Sequence, residues 1–265
     1  MSIIDISDLT FSYEDTSSGQ SVFEGLDLKI EEGEFVCVIG DSGCGKSTLL
    51  SILAGLRLPD SGNIMIGGKP MTGPGKERAI VFQHYSLFPW MSAEKNVIFS
   101  IKQTQKGLSK AEISELADMY LKKVGMYGER KKYPFQLSGG MQQRVALARA
   151  LATDAEILLL DEPFGALDTK RRVELQQLLE QLWCSGTEKK TVVFVTHDID
   201  EAVLLADRII YMSPGRIEAD IRVDFARPRK RDEMAGSYEF EELKKKLTEL
   251  FYFDFSMEKE DNEAI

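Results

Sequence analysis

Three stretches of the chain are apolar at nearly every position, and they organise the reading of the rest. Glu34-Phe-Val-Cys-Val-Ile39 runs into Gly40, Ile157–Leu160 into Asp161 and Glu162, and Val192–Val195 into Thr196, His197 and Asp198. A strand with one solvated face alternates apolar and polar positions, whereas a strand buried on both faces does not. These runs therefore predict the centre of a parallel sheet covered by helices. After Lys46 the pattern turns helical, with Leu49, Leu50, Leu53 and Leu56 on one face, and Gly55 and Pro59 predict its end. Residues 3–30 alternate, which predicts antiparallel strands around a Ser/Gly loop at Thr16–Ser21.

From about Ser86 to Thr153 the periodicity is helical, with no strong strand signal. Ser109-Lys-Ala-Glu112 has capping-box spacing, Ile113, Leu116, Ala117, Tyr120, Leu121 and Val124 follow at helical intervals, and Gly125 is a stop. After His197 come a short helix through Ala202, Leu205 and Ala206 and two strands, 208–212 and 217–223, around Pro214-Gly215. From Arg227 the chain is more polar; Phe240, Leu243, Leu247, Leu250 and Phe251 predict an amphipathic helix over Tyr238–Phe251, with Ser256–Ile265 frayed. The expected fold is α/β, with a mostly parallel core sheet, an N-terminal antiparallel β subdomain and an inserted helical subdomain at about 86–153. Residues 1–225 form the domain and 226–265 a polar, partly helical extension.

Composition narrows the function classes. Apolar residues at 43% and charged residues at 29% fit a globular chain, and a formal net charge of −10 opposes broad binding to nucleic acid or anionic lipid. No apolar stretch approaches the ~20 residues that span a bilayer. The start, Met1-Ser-Ile-Ile-Asp5, lacks a signal pattern, and Cys37, Cys44 and Cys184 form no metal or disulfide spacing, so reduced thiols in the cytoplasm are expected. The runs Arg130–Lys132, Lys170–Arg172 and Lys244–Lys246 read as solvated faces. Arg227-Pro-Arg-Lys-Arg231 reads the same way, or as a contact for lipid headgroups or a partner, and His84 reads as a surface residue.

Chemistry concentrates where the buried-type runs end. Gly40-Asp41-Ser42-Gly43-Cys44-Gly45-Lys46-Ser47, followed by Thr48, fits GxxxxGK[ST], the P-loop. Its glycines let backbone N–H groups face a phosphate at a helix N-terminus, Lys46 adds a positive charge and Ser47 a hydroxyl for Mg²⁺. A plain Gly-rich turn is the alternative, and the strand before and helix after weigh against it. Asp161 at a strand end can hold Mg²⁺, directly or through water, and Glu162 can take a proton from the attacking water or orient it. Leu137-Ser138-Gly139-Gly140 opens another helical run, with Ser138 placed as N-cap. It is a second phosphate-sized site or a cap without a ligand, and two such sites per chain suggest one γ-phosphate gripped by two chains.

With these motifs in this order, the chain resembles the ATP-binding subunits of ABC transporters from about residue 3 to 225. The carriers are Tyr13, the P-loop at 40–47, Gln83, Leu137–Gly140, Asp161-Glu162, Gly165-Ala-Leu-Asp168 and His197. Val81–Trp90 and Arg227–Arg231 further resemble the nitrate/taurine/aliphatic-sulfonate importer branch. The resemblance implies an Mg²⁺-dependent ATPase in which Tyr13 stacks on adenine and Gln83 contacts Mg²⁺ or the lytic water. It also implies that His197 bonds the γ-phosphate and orients Glu162, and that Asp168 couples two chains. Two copies would pair head-to-tail around ATP, with Ser138, Gly139 and Gly140 of one covering the P-loop of the other. The implied partners are membrane permease subunits and, indirectly, an extracytoplasmic substrate-binding protein, with the chain on the inner face of the cell membrane and no nucleic acid bound.

This chain departs from the family pattern at Met141, where glutamine is usual, and at Asp41, an acid beside the phosphate loop. Two other readings remain at this level: a soluble ABC-type ATPase acting on nucleic acid or ribosomes, and a non-catalytic regulatory cassette. The first lacks the long insertions or second cassette usual in such proteins; the second is expected to lack Glu162 or His197.

Overall fold

A computed structural model describes residues 2–13, 21–165, 167–184, 189–229, 231–234 and 236–263. The three apolar runs form β3 (Phe35–Gly40), β7 (Ile157–Asp161) and β8 (Thr191–Val195). With β6 (Arg78–Val81), β9 (Arg208–Ser213) and β10 (Arg216–Arg222) they build a sheet in the order β10-β9-β3-β8-β7-β6. All neighbours in it are parallel except β10, which returns from β9 as a hairpin. Alternate residues serve two cores. Phe35, Cys37, Ile39, Leu158, Leu160, Val192 and Phe194 face one way, and Val36, Val38, Ile157, Leu159, Val193 and Val195 the other. Burying each such side chain contributes about 1.5–3 kcal/mol, which explains why the runs tolerate no polar residue.

The second core is closed by α1 (Lys46–Leu53) and by an antiparallel sheet in the order β2-β1-β4-β5, from β1 (Ser2–Ser12), β2 (Ser21–Glu31), β4 (Ser61–Ile66) and β5 (Lys69–Pro70). The predicted Ser/Gly loop lies outside the described residues except Ser21, which opens β2. The predicted face of α1 loses one member. The helix stops at Leu53, Gly55 turns left-handed against the backbone of Gly73 and Pro74, and Leu56 is exposed.

The stretch read as a helical insertion contains α2 (Ala93–Thr104), α3 (Lys110–Lys123) and α4 (Gly139–Leu151). Ser109 and Glu112 form the expected reciprocal capping box at α3. These helices share a core of their own, in which Val97, Ile101, Ala117, Leu121, Val145 and Ala148 meet. The other face of α4 carries Ala146, Leu147, Ala150 and Leu151 into the main core, so one helix belongs to both bodies. Then follow α5 (Thr169–Cys184) and α6 (Ile199–Leu205). The sequence pattern had not singled out β4, β5, β6 or α5; the strands are short or half-exposed, and α5 is rich in Lys, Arg, Glu and Gln.

The C-terminal segment corrects two expectations. First, α7 (Arg231–Met234) and α8 (Tyr238–Glu263) follow, with α8 helical well past Phe251, and Met234, Phe240 and Leu247 are buried in the main core. Second, the basic runs are not simply solvated. Arg229 is only 4% exposed and donates to the carbonyls of Val203, Leu204 and Ala206 at the end of α6, and to those of Val223 and Phe225. Those helix-end carbonyls lack partners within the helix, so the guanidinium caps them. Burial, helped by the charge of Arg227, pushes Arg229 down to about 10. Arg227 pairs with Asp207 and lies over Trp183, Lys244 and Arg231 pair with Asp200, and Arg172 pairs with Asp198. Among the described residues no helix is long and apolar enough to cross a membrane.

Replacing Arg229 by Ala strands several buried carbonyls, which should lower unfolding stability by about 3 kcal/mol or more. A urea midpoint that falls at unchanged slope is the expected result. An unmoved midpoint would show that Arg229 does not hold the extension to α6.

Candidate active site

Because the strands are parallel, their C-terminal ends gather on one edge, and the polar residues that terminate the runs meet there. Between β3 and α1 the loop makes two turns that only glycine accommodates. A Cβ on Gly40 would collide with the Met212 carbonyl, and Gly45, at φ 105°, would press one to 2.8 Å from the Phe23 ring. Gly45 also leaves the first turn of α1 without a side-chain cap or an acidic residue, so its N–H groups remain available to an anion.

Lys46 is buried and curls back over the loop, its Nζ donating to the carbonyls of Gly40 (2.7 Å) and Asp41 (2.6 Å). Asp41 thus engages Lys46 through its main chain. Ser42 and Gly43 are exposed at the loop tip. Cys44 is buried beside Lys46, and burial pushes its thiol up, away from reactive thiolate chemistry. Thr48 Oγ1 lies 2.8 Å from the Tyr13 hydroxyl. The Tyr13 ring meets Phe11 edge-on and carries the Arg57 guanidinium 4.6 Å from its centroid, so a base stacking on that face would displace Arg57.

Ser47 Oγ donates to Asp161 Oδ1 at 2.9 Å, joining the P-loop to β7. Burial raises the Asp161 carboxyl; the Ser47 bond opposes that shift, Glu162 adds to it and Lys46 opposes it. A hydroxyl and a carboxylate held together in a partly desolvated spot form the hard-oxygen donor set that suits Mg²⁺.

Glu162 adopts a left-handed backbone at φ 41°, rare for a side chain of this size and costly by about 1–3 kcal/mol. That turn aims its carboxylate at two residues from distant parts of the chain. Its Oε2 accepts from Gln83 Nε2 at 3.3 Å and lies 3.4 Å from His197 Nδ1. The Gln83 amide is directed to Glu162 rather than to the Ser47–Asp161 pair.

Ser138 caps α4, its Oγ accepting from Met141 N. Gly139 lies near the Tyr85 hydroxyl and Gly140 against Arg171. The contacts of this segment run to α4, Tyr85, Leu167 and Arg171. Asp168 caps the start of α5 through Arg171 N; Ala166 lies outside the described residues.

Residues given no role from sequence support the site. Arg149 on α4 donates to the carbonyls of Tyr85 and Ser86, both at positive φ, and so braces the turn after Gln83. Thr196, Asp198 and Glu201 are bonded to one another behind His197. In sequence Thr196 and Asp198 stand out as polar ends of the apolar run, and Glu201 only through the capping spacing Asp198-x-x-Glu201.

Known proteins are similar to this chain in sequence and fold. The family described as "ABC transporter" matches residues 23–165. The nitrate import ATP-binding protein NrtD of Synechococcus elongatus is 43% identical over 236 residues, 88% of this chain and 85% of that one. The bicarbonate transport ATP-binding protein CmpD of Synechocystis is 43% identical over 239 residues, covering 89% and 84%. A solved dimer of the ATP-binding cassette MJ0796, in a post-hydrolysis state with ADP and Pi, superposes with a TM-score of 0.75 at 34% identity, covering 84% of this chain and all of that one.

Asp161 holds its proton more tightly folded than unfolded. Its ionisation therefore subtracts stability as pH rises from the ordinary carboxylate range through the raised value, and the cost is fully present at neutral pH. Asp161→Asn removes that cost. The nucleotide-free variant should melt no lower than wild type, while Mg²⁺-dependent ATP hydrolysis falls by roughly two orders of magnitude. Thermal melts and a phosphate-release assay check both halves.

Proposed function

This chain belongs to the ABC transporter family, and on that premise we propose that it is the ATP-hydrolysing subunit of an importer for a small anion. The observation that carries the catalytic part is the meeting of Gln83, Glu162 and His197 around one carboxylate oxygen, beside the Ser47–Asp161 pair and the P-loop. ATP binds with its phosphates against the loop from Gly40 to Thr48. Lys46, now bonded to loop carbonyls, turns to the β/γ-phosphates, and Tyr13 supports the adenine. Ser47 and Asp161 would hold Mg²⁺, which when bound would neutralise charge on the phosphate oxygens, and Gln83 would reach the ion or the lytic water only by turning from Glu162. Glu162 orients the attacking water and takes its proton, while His197 bonds the γ-phosphate and keeps Glu162 in line.

Ser138, Gly139 and Gly140 cannot serve the P-loop of their own chain if they lie where their contacts run, which supports the head-to-tail pair. In it each chain's Ser138–Gly140 covers the other's nucleotide, closure excludes water, and charged products favour reopening. Output passes through the turn after Gln83. Trp90, 69% exposed, packs with Phe88 and Phe88 with Phe99, and the segment carrying stacked Tyr133 and Phe135, the latter 79% exposed, is bonded to the start of α2 through Lys132 and Ala93. Exposed aromatics of this extent fit a protein interface, here with membrane permease subunits on the cytoplasmic face. Relatives named for nitrate and bicarbonate support a small oxyanion as the cargo, delivered by an extracytoplasmic binding protein.

Glu162→Gln should bind ATP, form a stable dimer on size-exclusion chromatography and lose most hydrolysis; wild-type turnover would remove Glu162 from the role. A tagged pull-down from gently solubilised membranes should retain a multi-spanning protein in stoichiometric amount. Recovery of ribosomal or DNA-associated proteins instead would overturn the transport assignment.

A further inference from the structure

His197 is held from behind by a ring of polar contacts that the chemistry above does not use. Glu201 is 5% exposed, and its Oε2 accepts from Thr196 Oγ1 at 2.7 Å. Thr196 Oγ1 in turn accepts from Asp198 N, and Asp198 Oδ1 accepts from Glu201 N, so the residues on either side of His197 are closed into one loop. The ring is anchored on α5. Gln176 Nε2 donates to Glu201 Oε1 at 3.0 Å, Arg172 Nη1 donates to Asp198 Oδ2 at 3.0 Å, and Arg172 Nε lies 3.7 Å from Glu201 Oε1. Thr196, Asp198, Glu201 and Arg172 line the small cleft in which Glu162 and His197 meet.

A buried carboxylate beside a half-buried guanidinium contributes little net stability, because desolvation offsets most of their attraction. Apolar side chains of similar volume would suffice to hold α6 on α5. What they would not supply is direction. The backbone of Thr196–Asp198 leaves β8 without regular structure, and the ring of bonds sets where the imidazole between its flanking residues points. Its anchors sit on the helix that Asp168 opens, the residue expected at the contact between two chains.

We propose that Glu201 is a positioning residue: through Thr196 and Asp198 it sets the orientation of His197, and through Arg172 and Gln176 it ties that orientation to the helix beginning after Asp168. The inference rests on the role given to His197 above. It implies that a shift of α5 on pairing of two chains is felt at the γ-phosphate.

The chain contains only two histidines, His84 and His197, so a histidine-labelled sample shows two imidazole signals. His197→Gln identifies which is which. In nucleotide-free Glu201→Ala the His197 signal should shift or split while that of His84 stays in place. In the same variant kcat for ATP should fall by about tenfold or more, with KM within about twofold, as expected when a reacting group is misplaced. Glu201→Gln should keep at least a third of wild-type kcat. Gln176 Oε1 is buried without a hydrogen-bond partner, and a turned Gln176 amide would accept from the new side chain while Thr196 keeps its acceptor. Thr196→Val should reproduce the kcat loss, and the double variant should be no worse than Glu201→Ala alone. Thr196→Val carries the test if Glu201→Ala does not fold.

An unmoved His197 signal, a kcat within twofold of wild type in folded protein, or equal damage from Ala and Gln at position 201 would each overturn the proposal. Wild-type turnover in His197→Gln would instead overturn the role of His197 itself, and the imidazole spectra would still report whether Glu201 orients it.

Discussion

Four of the five parallel strands are buried on both faces, which leaves the chain one place for polar chemistry, the edge where the strands end. In a parallel sheet all C-terminal ends fall on the same side, so β3, β7 and β8 deliver Gly40, Asp161 and the Thr196–Asp198 turn to neighbouring positions although they are far apart in sequence. Everything catalytic depends on this. The two cores on either side hold the strands in register, and register decides that Ser47 reaches Asp161 and that Glu162 lies beside His197.

At that edge, local stability is given up for geometry. Glu162 sits in a backbone region that disfavours it, Asp161 is partly desolvated, and Lys46 is buried against the carbonyls of Gly40 and Asp41 and the Cys44 thiol. The strained Glu162 backbone and the partly desolvated Asp161 both cost stability in the nucleotide-free chain.

The far side of α6 shows the same economy in a different place. The helix starts at the His197 turn, where Glu201, Asp198 and Arg172 hold it, and ends against Arg229 of the C-terminal segment. Arg229, Met234, Phe240, Lys244 and Leu247 therefore pack as part of the body that carries His197, and the contacts of Arg229 and Lys244 reach back to it through a helix of only seven residues.

Much of this was readable in one dimension. The unbroken apolar runs, the P-loop glycines and the acids at the end of β7 advertise their roles because their chemistry is contiguous: neighbours in sequence form the nest, the strand or the cap. Leu56 misled because the turn at Gly55 is imposed by Gly73 and Pro74, some twenty residues later. Arg229 and Glu201 were invisible for a deeper reason. A charged residue in a polar stretch reads as solvated, and whether it is depends on partners elsewhere, the carbonyl acceptors at the end of α6 for Arg229 and the Gln176 amide donor of α5 for Glu201. Periodicity and local conformational preference are properties of a segment, whereas the environment of a buried charge is a property of whatever the fold lays across from it. The chain alone could specify the former; only packing decides the latter.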